Sequence, residues 1–134
     1  MAKTRERTKG RQSVRTSFAG IPRRVMESED FRSLSGNAVR LLLWMSYQYK
    51  GKNNGDLAAT HTLAQSWGIG GKQTLVKALK ELQMRRLISM TRQGKFTNPG
   101  GRCALYALTW LPVDECLGKE LEIGPTRTPL RTEW

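Results

Sequence analysis

Gln73, Thr74 and Lys77, flanked by Lys72 and Lys80, gather amide, hydroxyl and ammonium groups on one short stretch of chain. At about 100° per residue, a helix through this stretch puts Leu75, Val76, Leu79, Leu82 and Arg86 on one side. Gln73, Lys77, Lys80 and Met84 fall on the other, with Thr74 and Glu81 flanking them. Donors and acceptors so spaced suit the edges of base pairs: Gln can form two hydrogen bonds to adenine, Lys can donate to guanine, and the methyl of Thr can touch that of thymine. Lys72 and Lys80, nearer the rim of that face, suit phosphates. The solvated side of an ordinary amphipathic helix carries the same residue types, so the neighbouring elements decide what the face means.

Those elements follow from caps and periodicity. Ser28 to Ser33 predicts a single helical turn, with Ser28 accepting from free amides, Glu29 and Asp30 at the positive helix end, and Phe31 and Leu34 as anchors. Ser35 caps a helix from Gly36 to Lys50, ended by Gly51, whose apolar residues run nearly all round and predict the most buried element. A turn at 52–56 precedes a strand of about three residues, Leu57 to Ala59. Thr60 caps a helix from His61 to Trp67, and the amides at its start suit Thr60 and His61 to an anion such as a backbone phosphate. Gly68 stops that helix, and the next begins at Gly70 or Gly71. Ile88 and Met90 alternate with Ser89 and Thr91, and Ala104, Tyr106, Leu108 and Trp110 repeat with period two, which predicts a hairpin. Its loop, Arg92 to Arg102, is long and rich in glycine, with Arg92, Lys95 and Arg102 as candidate backbone contacts and Phe96 at its tip. Pro112, Pro125 and Pro129 limit any later helix to roughly Val113 to Leu121.

The stretch from Gly68 to Leu82, followed by Leu87-Ile88 and the loop from Thr91 to Arg102, resembles the core of winged helix-turn-helix DNA-binding proteins. The resemblance covers Gly36 to Trp110 and implies a mainly α fold with a small antiparallel β hairpin, an α+β arrangement. It also implies that the helix from Gly71 to Arg85 enters the major groove while the wing, Arg92 to Arg102, reaches backbone or minor groove. Gln73, Thr74 and Lys77 would then read bases. Small proteins of this shape with no ligand-sensing domain are similar to transcriptional regulators and replication accessories of phages, plasmids and genomic islands. Two departures from the usual pattern are Gly70, where a Ser or Thr often caps, and Arg85-Arg86, where a glycine often terminates.

Composition agrees with a polyanionic partner. The chain has 134 residues and a formal net charge of +12, with 23 basic and 11 acidic side chains. That length suits one domain with tails: a basic flexible arm at 1–24, a winged helix domain at 25–111 and a C-terminal tail at 112–134 that docks or dimerises. The arm holds eight basic residues, among them Arg5, Arg7, Arg11 and Arg15, against the single acid Glu6. It has too little apolar content to fold alone and is suited to tracking phosphates. No apolar stretch of the length a secretory signal or membrane span needs is present, so a soluble, cytoplasmic protein is expected. Cys103, Cys116 and the lone His61 cannot assemble a four-ligand zinc site, and no metal or cofactor is expected. Glu27, Glu29 and Asp30 cluster at a helix start without a second carboxylate group, so catalysis is not expected. The expected partner is double-stranded DNA, bound by a monomer or a homodimer, with no small-molecule ligand. The competing reading is a winged helix protein-interaction module that blocks or tethers another nucleic-acid-binding complex; RNA is a third.

Overall fold

The computed structural model describes residues 16–95 and 101–134, so Arg5, Arg7, Arg11, Arg15 and Phe96 lie outside the described residues. Two short helices come first, α1 (Arg23–Met26) and α2 (Glu29–Arg32). Ser28 joins them: its hydroxyl donates to the Val25 carbonyl at 2.6 Å and accepts from the Phe31 amide at 3.2 Å. The longer helix α3 (Gly36–Gln48) starts as its sequence suggests, with the Ser35 hydroxyl accepting from the Ala38 amide. The amide and hydroxyl of Ser35 in turn both donate to the Glu81 carboxylate, at 2.8 and 2.7 Å. Glu81 thereby does from a distant helix what a capping-box glutamate does locally.

The other end of α3 departs from expectation. The helix stops at Gln48, and Tyr49 is extended, because Asn53 satisfies the terminal groups from outside: its Nδ2 donates to the Gln48 carbonyl and its Oδ1 accepts from the Lys50 amide. Gly51, at φ +105°, serves the following turn instead of the helix end. Nor is α3 buried all round. Ala38, Leu41, Leu42 and Met45 are in the core, whereas Leu43 and Tyr47 are about half exposed.

A two-residue strand β1 (Leu57–Ala58) leads to α4 (His61–Ser66) and α5 (Lys72–Met84), separated by Gly68 at φ +85°. The rotation of α5 differs from the one expected. Leu75, Ala78 and Leu82 are buried, while Val76 is 58% exposed and Arg86 lies outside. Ala78, too small to stand out in a hydropathy pattern, occupies the centre of the face that packs against α3. Arg86 ends the helix with φ 58°, the left-handed conformation usually left to glycine. There the Leu87 amide bonds back to the Leu82 carbonyl at 2.9 Å.

The hairpin strands are β2 (Ile88–Arg92) and β3 (Leu105–Leu108), and the sheet is antiparallel in the order β1-β3-β2. This is a mixed α+β arrangement, with one more strand pairing than the hairpin alone. A register shift between Met90 and Arg92 breaks the expected alternation. It turns Thr91 fully inward, where its hydroxyl donates to the Gly55 carbonyl at 2.6 Å, and leaves Met90 partly exposed. All four residues of β3 are buried, because elements cover both faces of the central strand.

One of those elements is the C-terminal segment, which forms no helix over Val113 to Leu121 and instead lies against the domain. Asn54, fully buried, is its hub: Nδ2 donates to the carbonyls of Leu108, Leu111 and Pro112 while Oδ1 accepts from the Leu108 amide. Farther on, the Glu122 amide donates to the Thr91 carbonyl and the Arg131 amide to that of Thr109. The Arg131 guanidinium reaches Asp30 at 2.7 Å and stacks 3.9 Å from the Trp134 ring, itself edge-on to Trp110.

Candidate nucleic-acid interface

Leu75, Ala78 and Leu82 hold α5 against the core, and the Glu81–Ser35 bonds hold it against the start of α3. The rotation of the helix is therefore fixed, and with it the face turned to solvent. Lys72, Gln73, Lys77 and Lys80 are all exposed there. None of the three lysines is ion-paired with a described residue, and the Gln73 amide bonds to none. Thr74, the third expected base reader, is only partly exposed and lies on the flank shared with Glu81, towards α3.

Thr60, His61 and Lys72 come together on the rim of a groove of about 510 Å³ between α5 and β3, floored by Leu75, Leu79, Ala104 and Tyr106. The Thr60 hydroxyl accepts from the Leu63 amide at 3.2 Å, so its oxygen caps α4. Burial and the nearby Cys103 push the Tyr106 phenol above its usual range.

The expected wing cations have a different situation. Arg92 donates twice to the Cys103 carbonyl, at 3.2 and 2.7 Å, and once to that of Lys119 at 3.0 Å. Arg102 pairs with Glu120 at 2.9 Å and Glu122 at 3.5 Å, and its side chain is only 20% exposed. Glu122 also accepts from the Gln93 amide. The expectation that Arg92, Lys95 and Arg102 all face a polyanion is thus corrected for two of the three. Both arginines fasten the hairpin to the C-terminal segment, whereas Lys95 is exposed while its backbone bridges that of Arg102. The neutralising carboxylates stand 18 and 20 residues farther along the chain, beyond the reach of local pattern.

Arg85 likewise points away from the outward face of α5, towards Asp30 at 3.4 Å. Burial alone would raise the Asp30 carboxyl, but Arg131 and then Arg85 outweigh it and hold the group below its ordinary value. One cation not singled out from sequence lies beside the turn between α4 and α5, where Arg40 donates to the Gly68 carbonyl at 3.4 Å. Its only signal was a charge interrupting an otherwise apolar helix. The exposure of Val76, at 58%, was likewise not foreseen, whereas that of Met84, at 75%, agrees with its expected place on the outward face.

Cys103 and Cys116 are separate free thiols. Burial, with Asp56 and Asp114 nearby, pushes the Cys116 thiol up despite Lys119. Among the described residues no group of three or more His, Cys, Asp or Glu side chains could hold a metal ion. No described helix is long and apolar enough to cross a membrane. No family model matches the chain, and no characterised protein or solved structure matches it either.

Proposed function

We propose that the protein is a winged helix, sequence-specific binder of double-stranded DNA, acting as a transcriptional regulator or replication accessory of a mobile element in a prokaryotic cytoplasm. The observation that carries this reading is the outward face of α5, where three lysines and a glutamine without described ionic or hydrogen-bonding partners stand on a rigidly held helix. A helix of 13 residues is about 20 Å long and, at about 10 to 12 Å across, is accepted by a major groove of about 12 Å. Support also comes from the order of the elements around it: helix, short strand, helix, turn, helix, then two hairpin strands beside the last helix.

In this reading Gln73 and Lys77 meet base edges, Lys72 and Lys80 meet the phosphates on either side, and Lys95 reaches the neighbouring backbone. Arg5, Arg7, Arg11 and Arg15 add non-specific attraction.

Selection of bound fragments from random duplex DNA, followed by affinity measurements across a salt series, tests this. An enriched motif is expected, with log affinity falling linearly against log salt by about 0.9 for each phosphate neutralised. Gln73→Ala should relax the preference for the motif by about 1 to 3 kcal/mol while random duplex is bound as before. Absence of enrichment together with a flat salt response would overturn the reading.

A further inference from the structure

Val76, like Met84, is an apolar residue of α5 that folding leaves in water. It sits in the middle of α5 with more than half of its side chain in water. A β-branched residue there is a weaker helix former than alanine, and exposure forfeits the gain from burying it. It also stands one turn from Gln73, so the two Cβ atoms are about 5 to 6 Å apart on the same surface, within two base-pair steps of each other in a groove. On its far side the surface opens into a recess of about 490 Å³ lined by Leu79, Lys80, Gln83, Met84 and Tyr106. An apolar side chain with an apolar recess beside it, next to an amide suited to adenine, is complementary to one feature of the major groove: the C5 methyl group of thymine.

We infer that Val76 reads thymine methyl groups, so that the target contains an A·T pair at or beside the adenine bound by Gln73. This rests on the duplex-binding reading above and refines it. Sequence alone gave the methyl contact to Thr74; the rotation of α5 turns Thr74 towards α3 and brings Val76 outward in its place. Lys77, on the other side of Gln73, ends in an ammonium group and is left to guanine or phosphate.

The decisive measurement uses the duplex recovered by selection, made once with thymine and again with 2′-deoxyuridine at each thymine in turn, which removes the methyl and keeps every hydrogen bond. At one position the full chain should bind the uracil duplex about fourfold more weakly, the factor that burial of a methyl-sized group carries. V76A should lose a similar factor on the thymine duplex and bind thymine and uracil duplexes equally, so the two changes are not additive. V76T, which keeps one methyl, should retain part of the discrimination. Because Val76 is exposed, unfolding does not confound V76A, and its thermal transition should match that of the parent. Equal binding of thymine and uracil duplexes by the parent chain overturns the methyl contact while leaving DNA binding intact. Discrimination that survives in V76A but disappears in T74S returns the contact to Thr74 and also overturns the proposal. If selection enriches no duplex, the failure lies in the DNA-binding reading itself.

Discussion

The outer face of α5 and the base of the hairpin carry similar cations in opposite circumstances. Lys72, Lys77 and Lys80 project from a helix whose own acid, Glu81, is turned towards Ser35. Arg92 is held by the carbonyls of Cys103 and Lys119, and Arg102 by the carboxylates of Glu120 and Glu122. A cation already hydrogen-bonded must exchange those bonds for a phosphate and gains little; a hydrated one releases counterions at no such cost. Charge count therefore overstates the electrostatic footprint of the hairpin, and neighbours two dozen residues away decide which cations remain available. Arginine suits the first task because its planar fork holds several acceptors at once, and lysine the second because its compact charge sits on a flexible stem.

The contrast can be broken or sharpened by substitution. The largest effect belongs to Asn54→Ala, which strips partners from three carbonyls and an amide where the C-terminal segment meets the sheet. A loss of about 3 to 5 kcal/mol in urea unfolding is expected, since each buried group left unpaired costs about 1 kcal/mol or more. A value near zero would mean that the tail adds nothing to the fold. Next comes Asp30, held by Arg131 and Arg85. Asp30→Asn should cost about 2 kcal/mol at neutral pH, less than a fully buried ion pair because the carboxylate is partly in water. Its folded value lies below the ordinary 3.8, so its stabilisation is complete above that value and is lost as pH falls through the depressed one. Unfolding free energies measured between about pH 6 and pH 2 should accordingly fall less steeply in the asparagine variant.

The smallest effects separate the two regions directly. Arg102→Ala should lower stability by about 1 kcal/mol and barely alter the salt slope for duplex binding, because its charge is already matched by Glu120 and Glu122. Lys80→Ala should leave the thermal midpoint within about 1 °C and reduce the salt slope by about 0.9. Interchanged outcomes for the two variants would erase the distinction between the regions.

How far the sequence could be read depends on the range of the interactions involved. Caps at Ser28, Ser35 and Thr60 were legible because each bond spans three residues, as were the stop at Gly68 and the presence of the two hairpin strands. The rotation of α5 was only partly legible: small Ala78 marks the packed side, which hydropathy had shifted towards Val76. The end of α3 was hidden in Asn53, whose amide reaches back five residues. The bulge between Met90 and Arg92 reverses an alternation that the residues themselves follow. Gln73, Lys72, Lys77 and Lys80 were legible as an exposed set because they share one helix. The commitments of Arg92, Arg102 and Arg85 were not, since each depends on a partner brought from far along the chain.

The side-chain amide of Gln48 has one more role. Its oxygen accepts from the Ala58 amide at 2.9 Å and its nitrogen donates to the Ala58 carbonyl at 2.6 Å, as a neighbouring strand would. On the opposite margin of the sheet, the Glu122 amide occupies the Thr91 carbonyl. Each margin of this small sheet thus has backbone groups already bonded, which works against strand addition at those points. Apolar contact surface of another kind lies on α3, where Leu43 and Tyr47 are about half exposed.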